Sequence, residues 1–352
     1  MTKTLLVALL AISVPIFAGV LEQAYALPYS VGDVFAGTGN GKIDVYKPDG
    51  TFVQTLDTLT ASNEQTGMCF DALGNLYATS WTAGSMTKFD TNGAIITSPW
   101  GGPFHNRPES CAIDAAGNIY VGEVDSATEH IHKFDASGTL LATYSPTTGP
   151  RGVDWIDLSA DQCTIYYTSE GDIIHRFDVC TNSQMADFAT GLNAPCFALR
   201  ERANGDVIVT CSNESRRYDS SGVLQQTYLK SALLTPTGGS EGSQQFAMNL
   251  DPDGTSFWTA AYNTGNVYRI DIATGAQLSV WTATPRVFST AGLAIFGEPT
   301  AGGGGPAVGG EIMPINSVAL MLAGIQMSAI WVVPVLAGAA GTTAFYLKTR
   351  KN

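Results

Sequence analysis

A pattern of apolar and polar positions recurs about every 43 residues between positions 33 and 297 of this 352-residue chain. Each unit begins with a short apolar segment and a second apolar segment that contains an aromatic or branched residue, followed by a polar gap. A third segment ends in Lys or Arg, then Phe, Tyr or Ile, and then Asp; a Gly turn and a last segment follow. The units that begin at Gly67 and Ser110 show the pattern most clearly. Short apolar runs separated by Gly-containing turns predict β-strands, here four in each unit. The sequence therefore predicts an all-β fold built from repeats.

The repeat length indicates the architecture. Repeats of about 40–50 residues with four short strands each are typical of β-propeller blades. The aspartates that end the third strands recur at similar steps, at Asp90, Asp135, Asp178, Asp219 and Asp271. We interpret them as caps of the following turns, because Asp accepts hydrogen bonds from nearby backbone amides. The second strands are predicted at residues 33–37, 75–80, 118–123, 164–169, 206–212 and 256–261, which gives six blades.

The first blade lacks an apolar segment before its second strand. In the other blades this innermost strand is predicted at 67–71, 110–114, 152–157, 196–200 and 245–250. A matching apolar segment stands at the far end of the repeats, at residues 291–297. We therefore expect this C-terminal strand to complete the first blade, which closes the ring and removes its open edges.

The two ends of the chain predict a membrane-anchored surface protein. Residues 1–26 have the basic start, apolar stretch and small-x-small site of a signal peptide. The propeller ectodomain is assigned to 27–300, a Gly-rich linker to 301–313, a transmembrane anchor to 314–347 with its span at 326–347, and a basic tail to 348–352. An uncharged stretch of this length can cross a bilayer as a helix, and a basic flank favours the cytoplasmic side. The protein is thus predicted to be single-pass, with an extracellular propeller.

The C-terminal segment "GGEIMPINSVALMLAGIQMSAIWVVPVLAGAAGTTAFYLKTRKN" resembles the anchors of archaeal surface proteins. This resemblance covers about 44 residues and implies a cell-surface location.

The six cysteines fit an oxidising compartment. Cys163 and Cys180 flank a hairpin and face each other directly if residues 171 and 172 form a two-residue turn. Cys196 and Cys211 do so if residues 202–205 form a four-residue loop. The remaining pair, Cys69 and Cys111, lies on innermost strands of neighbouring blades and offers a third disulfide, across the blade boundary. Cys-x-x-Cys pairs, which would favour a zinc site, are absent from the sequence.

The charge composition argues against one class of binding partner, and one motif marks a candidate modification site. Only 14% of the residues are charged, and the net charge is −13. Such a chain has no electrostatic reason to bind nucleic acid. Asn213 begins an Asn-x-Ser sequon and is the candidate glycosylation site.

The loops that lead into the innermost strands are predicted to meet at one mouth of the central channel. They carry Glu64, His105, Arg107, Glu109, Arg151 and Asn193. A mixed ring of this kind suits a polar or sugar-like ligand, and the alternative is an ordinary solvated rim.

The "G-x-x-x-D…G-N-[IL]-Y-[AV]" and "K-F-D-x-x-G" segments of blades two and three resemble NHL-repeat and senescence-marker/gluconolactonase-like six-bladed propellers. The resemblance covers residues 33–297 and implies the fold. That family includes lactonases with a divalent metal in the channel, antibiotic lyases and binding platforms. Glu64, Glu109 and Asn193 offer oxygen ligands for calcium, but Arg107 and Arg151 oppose a cation there.

Histidines provide a weaker metal hypothesis. His130 and His132 share one face of a strand, and His175 occupies the position of His132 in the next blade. Two imidazoles suit zinc or copper, but other blades place unrelated residues in this column. We expect no catalytic residues of the Ser-His-Asp type, because the sequence lacks a nucleophile-elbow motif.

The favoured function is a membrane-anchored extracellular module that binds or scaffolds a protein, glycan or small polar ligand at the channel mouth, without a cofactor. The alternative is a metal-dependent lactonase-like hydrolase or lyase of the cell envelope, for which calcium is the candidate ion.

Overall fold

The computed structural model describes residues 28–104, 107–124, 131–284 and 290–303. The predicted signal peptide, most of the linker, the anchor and the basic tail lie outside these ranges, as do His105 and His130. Within the described ranges, no helix is long and apolar enough to cross a membrane.

The described residues form six antiparallel sheets, each built on four strands. Every innermost strand packs against that of the next blade around a closed ring. This is the predicted six-bladed propeller. Blade 1 contains β1 (Val34–Gly39), β2 (Lys42–Tyr46) and β3 (Phe52–Asp57); blade 2 contains β4 (Met68–Phe70), β5 (Leu76–Ser80), β6 (Ser85–Phe89) and β7 (Ile95–Thr97); blade 3 contains β8 (Arg107–Ile113), β9 (Ile119–Val124), β10 (Ile131–Phe134) and β11 (Leu140–Tyr144).

The second half of the ring follows the same plan with one irregular blade. In blade 4 the outermost strand is split into two short strands, which both pair with the third strand. Blade 4 contains β12 (Ile156–Leu158), β13 (Thr164–Tyr167), β14 (Ile173–Asp178), β15 (Ser183–Gln184) and β16 (Ala189–Thr190); blade 5 contains β17 (Cys196–Glu201), β18 (Val207–Cys211), β19 (Glu214–Tyr218) and β20 (Leu224–Leu229), followed by a 3₁₀ turn (Lys230–Ala232); blade 6 contains β21 (Gln245–Leu250), β22 (Ser256–Ala261), β23 (Asn266–Asp271) and β24 (Gln277–Thr282).

The last strand, β25 (Gly292–Ile295), completes blade 1. It pairs antiparallel with β1, so that Val34 lies opposite Ile295 and Gly37 opposite Gly292. The predicted closure of the ring by a C-terminal innermost strand is therefore confirmed.

One innermost strand is shorter than predicted. The sequence places it at residues 152–157, but β12 begins at Ile156. The preceding residues bond to two different partners: the amide of Val153 donates to the carbonyl of Glu123 in blade 3, and the amide of Asp154 donates to Thr168 in blade 4. Because this segment is shared between two blades, it does not form a regular ladder.

The repeated base and aspartate of each unit have a structural role. In blade 3 the Nζ of Lys133 lies 4.8 Å from the centre of the Tyr120 ring and 3.1 Å from the carboxylate of Asp114. Lys88 repeats this arrangement over Tyr77 in blade 2. The lysine of the third strand thus packs over the tyrosine of the second strand. It also links the third strand to the turn between the first and second strands.

The aspartates that end the third strands cap the next turn, as the sequence predicts. The carboxylate of Asp135 accepts hydrogen bonds from the amides of Ser137 and Thr139, at 2.9 Å each. Gly138 in this turn has φ +91°, a conformation that L side chains rarely adopt.

Three disulfides join Cys69 to Cys111, Cys163 to Cys180 and Cys196 to Cys211. The predicted two-residue turn between the second pair is wrong. Thr164 lies opposite Asp178, so the ladder turns around Gly171 and places Cys163 opposite Val179 rather than Cys180.

The third pair lies directly opposite, but a bulge makes this possible. Next to the hairpin loop the register differs by one residue from the predicted one, since Glu201 pairs with Val207 rather than with Asp206. A register shift between Cys196 and Leu199 then restores the alignment of the two cysteines.

The two mouths of the channel differ. At the C-terminal ends of the innermost strands, residues 298–303 cross the channel, and we call this end the closed mouth. Glu298 there accepts hydrogen bonds from Arg200, Asn249 and the amide of Leu250, at 3.0, 2.7 and 2.7 Å. Farther along, the carbonyl of Gly302 accepts a hydrogen bond from the side chain of Gln162 at 2.8 Å. The remaining cavity is about 30 Å³, room for little more than a water molecule.

Candidate functional site

A pocket of about 270 Å³ lies at the opposite, open mouth, where the chain enters the innermost strands. Its wall combines carboxylates, one guanidinium, one amide and four aromatic rings. We call it the mouth pocket, and its lining residues are Glu64, Trp81, Glu109, Arg151, Glu170, Pro195, Phe197, Gln244, Phe246 and Tyr262.

The position of Glu64 is fixed by close backbone packing between blades 1 and 2. A Cβ on Gly37 would lie 2.0 Å from the carbonyl oxygen of Gln65, and one on Gly292 would lie 2.1 Å from that of Thr66. The loop that carries Glu64 can therefore approach only because both positions are glycine. Across the mouth, the hydroxyl of Tyr262 in blade 6 donates a hydrogen bond to Glu64.

Glu109, which lines the pocket, and the nearby Asp154, which does not, are buried without full hydrogen bonding. Glu109 is 2% exposed and Asp154 is fully buried. Among the described residues, Oε2 of Glu109 and both carboxylate oxygens of Asp154 have no hydrogen-bond partner. Burial, together with the charge of Asp154, raises the pKa of Glu109 well above its usual range. The pKa of Asp154 is raised for the same reason, with Glu170 adding to the effect of burial.

A salt bridge forms one side of the pocket. Nη1 of Arg151 lies 2.9 Å from Oε1 of Glu170. Burial raises the pKa of Glu170, although the nearby Arg151 acts in the opposite direction. The backbone of Glu170 has φ +50°, a region that non-glycine residues seldom occupy. The tight turn after β13 thus directs this carboxylate to the channel mouth.

Aromatic rings form the other side. The ring of Phe246 lies 4.6 Å from that of Phe197 and 5.1 Å from that of Tyr262. At the rim, the guanidinium of Arg107 stands 4.1 Å above the ring of Trp81. The pocket therefore presents an apolar face opposite a face of hydrogen-bonding groups, the usual arrangement of small-ligand sites.

The sequence identified part of this site. Glu64, Glu109 and Arg151 line the mouth pocket, and Arg107 lies beside it over Trp81. The exposed Asn193 does not line the pocket, whereas Pro195, two residues later, does. The candidate glycosylation site, Asn213, is exposed in the turn between β18 and β19.

Among the lining residues that the sequence did not indicate, three were missed because they follow the second strands rather than precede the first. Trp81, Glu170 and Tyr262 each stand four residues after the second-strand anchor of their blade. These positions reach the same mouth because the second strand runs back toward it. The signal was available in the repeat, since this column holds large or charged residues in alternate blades.

The histidines do not assemble a metal centre in the described part of the chain. His132 is buried with its Nε2 3.3 Å from the carboxylate of Glu123, and Nδ1 of His175 lies 2.8 Å from Asp187. Among the described residues, the one close group of three ligand-type side chains contains Cys163 and Cys180, which are joined in a disulfide.

No protein-family model matches the sequence, and no curated protein matches it. Similar solved structures exist. The chain is similar to a structure of a nidogen/laminin complex, with TM-score 0.56, 15% identity and coverage of 75% of this chain and 97% of the other. It is similar to a streptogramin B lyase, with TM-score 0.52, 17% identity and coverage of 76% and 86%. A virginiamycin B lyase from Staphylococcus aureus gives TM-score 0.51, 13% identity and coverage of 73% and 86%. At these identities the likeness shows the β-propeller fold.

Proposed function

We propose that this protein is a membrane-anchored extracellular β-propeller that binds a small polar ligand in the mouth pocket. The observation that supports this most is the pair of buried acids, Glu109 and Asp154: Oε2 of Glu109 and both carboxylate oxygens of Asp154 lack hydrogen-bond partners beside a pocket with an aromatic wall. A buried polar group without a hydrogen bond costs about 1–3 kcal/mol. A bound ligand that donates hydrogen bonds removes that cost, whereas a solvated rim has no reason to bury such groups.

The closed mouth supports an orientation for the site. The described chain ends at Gly303, after crossing the mouth opposite to the pocket. A predicted membrane anchor that continues from there would place the closed mouth toward the bilayer. In this proposal the mouth pocket faces away from the membrane and is accessible to molecules outside the cell.

The relation to NHL-repeat and gluconolactonase-like propellers remains part of the proposal. It rests on the repeated blade motifs and on the fold shared with the solved lyases, not on matched catalytic residues.

The test uses the full-length protein in detergent and ligand-observed NMR. The probes are a panel of monosaccharides, lactones, free amino acids and polyamines. We expect signals from at least one class that disappear in Gln244→Trp, which fills the mouth pocket from a partly exposed position. The control is Gln225→Trp, an exposed position on the outermost strand of blade 5. Equal signals in both variants, or none in the wild type, would contradict a ligand site at the open mouth.

A metal-dependent enzyme of the lactonase or lyase type is the second candidate. Unpartnered carboxylate oxygens on Asp154 and Glu109 favour it, because calcium prefers oxygen ligands. Against it, Arg151 places a positive charge beside these acids, and the described residues hold no close group of three carboxylates. These residues do not fit a preformed cation site.

Scanning calorimetry distinguishes the two candidates. We expect the unfolding midpoint to be the same in EDTA and in millimolar calcium or zinc. A stoichiometric ion and a midpoint that rises when the ion is restored would favour the enzyme.

A further inference from the structure

A second groove lies beside the mouth pocket, between blade 3 and the irregular edge of blade 4. Its volume is about 410 Å³. We call it the side groove, and its lining residues are Thr147, Thr148, Gly149, Pro150, Gly171, Asp172, Ile173, His175, Gln184, Met185, Ala186 and Asp187.

The side groove and the mouth pocket share a wall. Pro150 and Gly171 line the groove, while their chain neighbours Arg151 and Glu170 line the mouth pocket. The salt bridge between Arg151 and Glu170 forms the ridge between the two spaces. The side chain of Arg151 is 37% exposed, and a guanidinium has five N–H donors. A ligand that crosses the ridge therefore meets further hydrogen-bond donors there.

The side groove exists because the outermost strand of blade 4 is interrupted. Between β15 and β16 the amides of Met185 and Phe188 still donate to β14, but the register shifts by two residues. Asp187, in this shift, lies against His175 with 2.8 Å between Oδ1 and Nδ1. The imidazole stacks on Tyr167 at 5.0 Å between ring centres. Gln184 is held by the amide of Thr147 and the carbonyl of Arg176. The side groove, like the mouth pocket, therefore contains polar side chains that are held in fixed positions.

We propose that the two spaces form one extended site for a neutral oligosaccharide, with a terminal sugar in the mouth pocket and the following sugars in the side groove. This inference rests on the proposed ligand site at the open mouth and names its ligand class. The mouth pocket is close to the lower limit of the volume usual for drug-sized ligands, about 300 Å³, so a longer molecule must use adjacent space.

The chemistry of the lining favours a sugar chain over other polymers. Sugar rings present apolar C–H faces to aromatic rings such as Phe246 and Tyr262, while their hydroxyls donate to carboxylates and accept from Arg151. Acidic polymers are disfavoured, because Glu64, Glu109 and Glu170 surround the single guanidinium of the pocket. A basic peptide is the competing ligand, and the experiment includes it.

The experiment measures calorimetric binding to the full-length protein in a detergent without a sugar head group. The probes are matched pairs of a monosaccharide and its trisaccharide: N-acetylglucosamine and chitotriose, glucose and maltotriose, mannose and mannotriose. A lysine-rich peptide is the fourth probe. We expect at least one trisaccharide to bind about tenfold more tightly than its monosaccharide.

Two Ala→Trp substitutions test whether the additional sugars bind in the side groove. Ala186 is exposed in the side groove, so Ala186→Trp should remove the tenfold advantage of the trisaccharide and leave the monosaccharide unchanged. Ala116 is exposed in the turn between β8 and β9, and Ala116→Trp should change neither affinity.

Each outcome supports or overturns part of the proposal. If trisaccharides bind no more tightly than monosaccharides and Ala186→Trp has no effect, the extended site is wrong, while a small-ligand site at the open mouth stands. If the peptide binds and no sugar does, the ligand class is wrong. If no probe binds and Gln244→Trp has no effect in the wider panel, the proposed function itself fails.

Discussion

Glu298 at the closed mouth and the buried acids Glu109 and Asp154 at the open mouth differ in how fully their carboxylates are hydrogen-bonded. At the closed mouth, both carboxylate oxygens of Glu298 have partners, and they lock Arg200 into a buried salt bridge. At the open mouth, the salt bridge of Arg151 and Glu170 is partly exposed, and Oε2 of Glu109 and both carboxylate oxygens of Asp154 have no hydrogen-bond partner. Since buried polar groups in folded proteins are nearly always satisfied, the contrast supports the proposal of a ligand site at the open mouth and a stabilising role for Glu298 at the closed mouth.

We expect the largest effect on stability from removing the carboxylate of Glu298, which holds its segment across the closed mouth. Glu298→Ala would leave Arg200 buried without its carboxylate, and loss of one partner of a buried ion pair costs about 3–5 kcal/mol. We expect the free energy of unfolding to fall by this amount, measured by chemical denaturation at pH 7. A cost below about 1 kcal/mol, typical of exposed ion pairs, would contradict the structural role of this segment.

The next effect concerns the disulfide that joins blades 2 and 3 next to the closed mouth. Cys69 and Cys111 are 42 residues apart, whereas Cys163 and Cys180 are 17 apart within one blade. In the chain-entropy model, loss of the longer loop costs about 4 kcal/mol and loss of the shorter about 3 kcal/mol. We therefore expect Cys69→Ala/Cys111→Ala to lower the denaturation midpoint more than Cys163→Ala/Cys180→Ala. The reverse order would show that inter-blade linkage adds little to ring stability.

A third prediction concerns the free energy that is lost by burying acids without hydrogen-bond partners at the open mouth. Because the pKa of Asp154 is raised in the folded state, its stabilising contribution is present below the unfolded pKa of about 3.9 and is lost as pH rises. Asp154→Asn should therefore raise the free energy of unfolding at pH 8, by about 1.4 kcal/mol for each pKa unit of the native shift.

The pH profile of the Asp154→Asn variant provides the check. Its stability should fall less than that of the wild type between pH 5 and pH 8. Asp157 at the closed mouth, whose pKa burial raises to about 7, remains in both proteins and serves as the internal reference. A variant that is less stable than the wild type at pH 8 would indicate that the ionised carboxylate has a favourable partner.

The smallest effect is expected from the ridge at the open mouth. Glu170→Ala removes a salt bridge in which the side chains of Arg151 and Glu170 are 37% and 20% exposed. Partly exposed pairs of this kind contribute about 0–1 kcal/mol, so the denaturation midpoint should hardly change while ligand binding weakens. A loss of stability equal to that of Glu298→Ala would remove the distinction between the two mouths.

The repeat allowed the fold to be predicted, including the strand that closes the ring. A missing innermost strand in blade 1 and a surplus apolar segment at residues 291–297 left one consistent arrangement. Strand register was harder to predict, because a single extra residue in a hairpin shifts every pairing. The ladder of Cys163 and Cys180 differs by one residue for this reason, whereas a bulge corrects the ladder of Cys196 and Cys211.

The candidate site was predictable only in part. Glu64, Glu109 and Arg151 stand in the loops before innermost strands, where sequence position alone indicates the mouth. Glu170 depends on a left-handed backbone conformation after β13, for which the sequence has no local motif, so that only its column in the repeat could have indicated it. The side groove depends on the break between β15 and β16, which follows from the loss of the regular pattern in one blade.

The crossing of the closed mouth has a mechanical consequence for a tethered protein. A pull on the chain beyond Gly303 meets Gln162 of blade 4 first, and then reaches Glu298, which is bonded to Arg200 of blade 5 and Asn249 of blade 6. The load is thus distributed over three blades before it reaches the four-residue ladder between β25 and β1. If the proposed anchor follows this segment, a force on the anchor would therefore move the propeller as one body instead of separating its closing strand from β1.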